Sequence, residues 1–454
     1  MAIVYNKIVT FNIILRKNKE VKMDRISEAK EFLKKIVAIN SVESAPTDGA
    51  PFGRGVAECL AVTLQKMRSL SFRTVDGEGY YGYGEIGEGE LFGVLTHLDV
   101  VPVGEGWSHD PFGAETEDGK IYGRGTMDDK GPFCAAFFAA VKLLDEGYKP
   151  IKRLRFIVGC DEESGWKCMD RYAEREEMPQ KGFSPDGDFP VINSEKGIVY
   201  HTVKIPLPSD VISLTAGERA NMVPASAKIL FTKNGSLIDR LDKAKIPYTN
   251  EGKRIAVSEK GKASHGSHPE QGENALVKLF RTLSPAFEGF KLLYDAFASF
   301  DGSGIGLKVF DEKSGALTVN PGCVVTEGRT AVLSVDVRYP HCISKEDVTV
   351  ALKKTLPYEV EEVFYHLPLY VPEDNELVQK LLFAYEKVTG EKARPVAIGG
   401  GTYARVLPLG VAFGPCFPGG NNGMHCADEY ISTEDFEKMF AIYYEALKEL
   451  CFAK

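Results

Sequence analysis

Two residues separated by one position, His97 and Asp99 in Thr96-His97-Leu98-Asp99, follow the apolar run Leu91-Phe92-Gly93-Val94-Leu95. An extended backbone points alternate side chains the same way, so this spacing presents an imidazole and a carboxylate together at a strand end. The pair suits a metal ligand and the acid that orients it, because a ligating imidazole usually donates its other N–H to a carboxylate or carbonyl. A satisfied core histidine has the same signature. Further oxygen and nitrogen donors stand at separate loop positions: Asp128 in Gly123-Arg124-Gly125-Thr126-Met127-Asp128-Asp129-Lys130, Glu163 in Asp161-Glu162-Glu163, Asp186 in Ser184-Pro185-Asp186 and His425 in Gly423-Met424-His425. Each also has an ordinary use: a helix cap or turn for Asp128, a solvated charge for Glu163, a turn for Asp186, a backbone hydrogen bond for His425.

Positioning these groups requires strands that end in loops. Apolar stripes predict amphipathic helices over Met23 to Ile39 and Gly55 to Leu70, and a helix apolar nearly all round over Pro132 to Leu144, beginning beside Asp128 and Asp129. Leu154 to Cys160 reads as a buried strand leading into Asp161-Glu162-Glu163, and Pro190 to Asn193 as another. This rhythm is that of an α/β sheet with functional loops at strand ends. Near residue 203 the character changes: segments such as Ser226 to Phe231 and Ala331 to Arg338 look like strands, with a helix over Asn274 to Leu283 between them. The pattern from Glu376 to Val388 and a final helix bearing Phe436, Met439, Phe440, Tyr443 and Leu447 on one face resemble the opening elements. The expected fold is therefore α/β and two-domain. An N-terminal extension (1–22) precedes a catalytic domain with a mixed sheet between helices (23–202 and 369–454), interrupted by an inserted α+β lid domain (203–368).

At 454 residues the chain exceeds one typical core. A formal charge of −9 with no dense Lys/Arg stripe argues against nucleic acid, and no apolar run approaches a bilayer span. Nine cysteines without a C-x-x-C pair read as buried thiols in a reducing cytosol.

In order and local context these pieces resemble the M20 metallopeptidase family. Thr96 to Pro102, Gly123 to Gly131, Asp161 to Gly165, Ser184-Pro185-Asp186 and Gly423-Met424-His425 carry the likeness, which extends from Met23 to the C-terminus. The longer forms of the second and fourth motifs, with Gly399-Gly400-Gly401-Thr402-Tyr403-Ala404-Arg405, resemble its PepV-like dipeptidase branch. The resemblance implies two divalent ions, zinc foremost with manganese or cobalt as substitutes, bridged by Asp128. His97 and Asp186 complete one ligand set, Glu163 and His425 the other. It further implies Glu162 as general base, Asp99 as orienter of His97, and His265, in Ala263-Ser264-His265, as the lid histidine that reaches the substrate carbonyl. The family's usual order of small residues there is Ser-Ala-His, so this chain swaps them. Asn221 and Arg338 look like substrate contacts, and Gly401 with Thr402 like part of a loop that binds the substrate terminus. That glycine run is not a phosphate loop, for no Lys-Ser/Thr follows it.

The activity implied is hydrolysis of dipeptides by a cytoplasmic, monomeric metallopeptidase. A carboxypeptidase or N-acyl-amino-acid deacylase on the same scaffold is the alternative, and a non-catalytic binding protein of the same descent a third.

Overall fold

The computed structural model describes residues 24–420 and 423–454, so the expected extension 1–22 lies outside the described residues. Ten α-helices among the described residues combine with several sheets in a mixed α/β protein. Two compact units emerge. Among the described residues, one comprises those up to Pro190 with Gln379–Ala393 and Ala412–Lys454, the other Val191–Val378 with Arg394–Val411.

In the first unit five strands lie side by side in the order Arg73–Asp76, Tyr81–Ile86, Arg153–Gly159, Leu91–His97, Lys181–Ser184. The last three run parallel, with His97 opposite Gly159. All seven residues of Leu91–His97 are buried, which accounts for a continuous apolar run in place of alternation. Parallel neighbours end at the same edge, so His97, the loop Asp161-Glu162-Glu163 and the loop holding Asp186 leave the sheet together.

The helices lie close to where the apolar stripes predict them. Arg25–Val37 buries Ala29, Phe32, Leu33, Ile36 and Val37, and starts where the Asp24 carboxylate accepts the N–H groups of Ile26 and Ser27. Lys130–Asp145 is buried at almost every position because Arg25–Val37 and Thr433–Cys451 both pack on it. Phe133, Phe137 and Phe138 are fully buried there, each contributing about 1.5–3 kcal/mol of transfer free energy. Lys130 is buried too, and its ammonium donates to the carbonyls of Ile36 (2.9 Å) and Ile39 (3.1 Å), at the C-terminal end of the opening helix where a cation is favoured.

The second unit is built on an eight-stranded antiparallel sheet, with Thr318–Glu327, Thr330–Tyr339, Gly197–Pro206 and Glu359–His366 as consecutive neighbours at one side. Helices Ala275–Leu283 and Glu288–Phe297 bury Leu276, Phe280, Phe290 and Leu293 in its core. Asn274 caps the first of them, accepting from Leu276 N and Val277 N at 3.0 Å.

Candidate metal centre

Beyond the parallel strands the loops of the first unit bring His97, Asp128, Glu162, Glu163, Asp186 and His425 together. Ligand atoms of His97, Glu162 and Asp186 lie within 4.8 Å of one another, as do those of His97, Asp128 and Glu163. Asp128 is central: Oδ1 stands 2.8 Å from His97 Nε2 and Oδ2 stands 2.7 Å from His425 Nε2. Asp186 Oδ2 is 3.7 Å from the same His97 nitrogen, and Glu163 Oε1 is 3.2 Å from that of His425. Asp128 is thus no helix cap. Asp129 occupies that position, and its carboxylate accepts the His97 backbone N–H (3.3 Å) and makes no cap bond. The peptide between the two aspartates is cis.

The orientation of His97 departs from the simplest reading of His-x-Asp. Its Nδ1 lies 2.9 Å from the backbone carbonyl of Asp99 and 3.6 Å from that residue's carboxylate. Asp99 Oδ2 instead accepts the N–H of Glu163 at 3.0 Å, tying the two strand-end loops to each other. Spacing gives the side on which a side chain emerges; the chain bends after His97 and offers the carbonyl first.

Those contacts bear on whether the donors suit a cation. A carbonyl only accepts, so Nδ1 carries a proton, and a neutral His97 directs the bare lone pair of Nε2 at the Asp128 carboxylate. Two lone pairs 2.8 Å apart repel unless a positive charge lies between them. Protonation supplies one: although burial opposes it, Asp128 and Asp99 raise the His97 pKa well above its ordinary value. His425 is likewise pushed up to about 11 by Asp128 and Glu163 against the effect of burial. The acids show the complementary strain. Burial and then the Asp128 charge push Asp186 up to about 7, and burial with Asp186 pushes Glu162 well upward. Glu163 Oε1 is buried, with the His425 nitrogen beside it at 3.2 Å. Four carboxylates around two imidazoles thus fit divalent cations, whose charge would relieve every one of these oppositions, and hard oxygen with imidazole nitrogen suits zinc, manganese or cobalt.

Glu162 is held at its backbone by a residue the sequence did not single out. Trp166, with a left-handed backbone (φ 61°), turns its indole to donate to Glu162 O at 2.8 Å. Asp161, at the head of this loop, accepts from Gly165 N (3.0 Å) and Lys167 N (2.9 Å) and closes the turn.

The expected substrate contacts all belong to the second unit. His265 Nδ1 lies 2.6 Å from the Ser267 hydroxyl and accepts the Ser267 backbone N–H at 3.2 Å, which leaves the proton of a neutral ring on Nε2. Asn221 is adjacent, its carbonyl accepting from Gly266 N at 2.7 Å. His268 is exposed and pairs with Glu270. Arg338 is buried and grips Asp336 through Nε (2.8 Å) and Nη2 (2.9 Å), while Nη1 donates to Gly399 O at 3.1 Å. Thr402 donates its hydroxyl (2.7 Å) and its N–H (3.2 Å) to Glu195, which also takes Arg405 Nε at 2.8 Å. A Cβ at Gly401 would fall 2.5 Å from the Arg405 guanidinium, so a larger residue there would have to displace that side chain. Glu195 and Asp336 are further residues the motifs did not reveal.

Comparison with known proteins gives the family. The chain is 38% identical to Putative dipeptidase YtjP of Bacillus subtilis, over 94% of this chain and 97% of that one. Its fold is similar to that of an M20 family metallo-carboxypeptidase, Sso-CP2 of Sulfolobus solfataricus (TM-score 0.59, 17% identity, 93% of this chain and 98% of that one). It is also similar to the di-peptidase Dug1p of Saccharomyces cerevisiae (TM-score 0.57, 16% identity, 94% and 97%). The model of peptidase family M20/M25/M40 matches residues 93–449, a span that takes in every clustered acid and histidine described above. The chain therefore belongs to peptidase family M20/M25/M40 and is a hydrolase of peptide bonds.

Proposed function

We propose that this chain is a metal-dependent dipeptidase in which Asp128 bridges two divalent cations, with His97 and Asp186 completing one ligand set and Glu163 and His425 the other. The observation that carries this reading is the opposition of the two histidine Nε2 atoms to the two oxygens of one aspartate, at 2.8 and 2.7 Å. Zinc is the ion favoured, with manganese or cobalt able to use the same donors. When bound, such a pair lowers the pKa of water and polarises the scissile carbonyl. The chain's own residues do the rest. Glu162 takes the proton of the attacking water and returns it to the departing amine. Asp99 fixes the tautomer of His97 through its carbonyl. His265 donates from Nε2 to the oxygen on which negative charge develops. Asn221, Arg338, Gly401 and Thr402 contact the substrate ends, and recognition of both ends limits substrates to two residues.

In this reading 203–368 acts as the lid of a catalytic domain formed by 23–202 and 369–454. The protein is monomeric and cytoplasmic; none of its nine cysteines is joined in a disulfide, which accords with a reducing compartment. The naming of YtjP as a dipeptidase supports dipeptides over N-acyl amino acids as substrates. Purified protein, stripped with chelator and reloaded, is to be assayed for metal content and for turnover of dipeptides, tripeptides and N-acyl amino acids. The expected result is two ions per chain and a dipeptide kcat/KM at least roughly tenfold above the others, about 1.4 kcal/mol of transition-state preference. Equal turnover of tripeptides or acyl amino acids would select the carboxypeptidase or deacylase alternative, and a single ion per chain would rule out the bridged pair.

A further inference from the structure

The loops that carry Asp128 and His425 are distant in sequence and meet because Tyr430–Ser432 pairs antiparallel with Lys120–Tyr122. A ladder of three residues is short to fix side chains that lie several positions beyond its ends. Glu429 stands at the junction, fully buried. Its Oε1 accepts the backbone N–H groups of Gly125 (3.0 Å) and Met127 (2.9 Å), and Oε2 takes Arg124 Nη1 at 2.6 Å. Its carbonyl accepts Gly123 N–H at 2.9 Å. One residue of the His425 loop thereby holds four of the five positions leading up to Asp128. Burying a carboxylate is costly unless its charge and lone pairs are met, and here a buried guanidinium and two amides meet them. Gly125 has a φ of +88°, so the segment adopts a course that the Glu429 oxygen helps to define.

We propose that Glu429 is a positioning residue for the candidate metal centre. By holding the Gly125 and Met127 amides, its Oε1 keeps Asp128 in register with His425, and the cation shared by these two residues and Glu163 depends on it. The inference rests on the two-ion reading above.

Removing Glu429 alone would strand the Arg124 charge, so the test compares two double variants of equal charge. Arg124→Met/Glu429→Gln keeps an amide oxygen for the two loop N–H groups, and Arg124→Met/Glu429→Ala removes it. Metal-free protein is titrated with Co2+, whose visible absorption reports ligand number and type, with circular dichroism and thermal unfolding of the same samples. The glutamine double is expected to take two equivalents with the spectrum of the unsubstituted protein. The alanine double is expected to unfold within about 3 °C of it when metal-free. It should nevertheless bind the second equivalent about 10–100-fold more weakly, with an altered spectrum. The proposal is overturned if both doubles bind alike, whether tightly or weakly. It is also overturned if the alanine double loses its folded dichroism, since that marks a structural role alone. If the unsubstituted chain takes up fewer than two equivalents, the two-ion reading fails before any variant is compared.

Discussion

Around His97, four carboxylates converge on two imidazoles and oppose one another's ionisation. In the second unit the buried acids each meet a guanidinium: Asp336 with Arg338 and Glu195 with Arg405, all four side chains at most 4% exposed. The difference lies in who supplies the positive charge. A site whose charges are balanced from within is finished when the chain folds, whereas acids crowded without a matching basic side chain remain dependent on something from solution. The first arrangement is the one suited to hold a cation.

The sharpest way to break this contrast is Glu162→Gln, which leaves the clustered ligands in place and removes the group assigned to proton transfer. With two ions retained by metal analysis, kcat for a dipeptide is expected to fall about 10²–10⁴-fold with little change in KM. Unchanged turnover would show that the crowding of acids serves binding alone. On the compensated side, Arg338→Met leaves Asp336 buried without its partner and is expected to cost about 3–5 kcal/mol in urea unfolding. The double variant Arg338→Met/Asp336→Leu should recover most of that loss, because a missing pair costs less than half of one. Failure of the double to recover would mean that packing of the guanidinium, and not charge balance, holds that region.

The smallest effect concerns His201, a fully buried imidazole in the second unit whose Nε2 meets Thr349 Oγ1 at 2.8 Å while Nδ1 has no hydrogen-bond partner. Burial pushes its pKa down from the ordinary 6.5 to about 4. The unfolded chain therefore binds a proton below pH 6.5 that the folded one refuses until about pH 4, so the stability this residue provides is present above that interval and drains away as pH falls through it. His201→Gln is expected to flatten the acid limb of a stability profile between pH 6.5 and 4 by roughly 2–3 kcal/mol. An unchanged slope would assign the limb to other groups.

Much of the first unit was legible because its signals are local. Helix Arg25–Val37 lies within the expected stripe Met23 to Ile39, and strand Leu91–His97 opens on an apolar run because both faces are covered. The clustered donors were legible as types at strand ends, and the structure brings together His97, Asp128, Glu163, Asp186 and His425. What stayed hidden depends on register between distant segments. Nothing in Asp428-Glu429 says that the second acid will face Gly125 and Met127, since that follows from Tyr430 pairing with Tyr122. Nor does a glycine run announce that Thr402 donates to Glu195, 207 positions away. Even His-x-Asp, the most local signal, left open which oxygen of Asp99 the imidazole would meet.

The ammonium of Lys130, lodged against the carbonyls of Ile36 and Ile39, has a consequence for anyone shortening this protein. The opening helix looks like a dispensable outer layer, yet it furnishes the acceptors for a cation that immediately follows Asp129. Trimming the chain past Ile39 would orphan that cation in an apolar interior, beside the clustered acids. Damage inflicted at one end would surface as an electrical fault at the reactive edge.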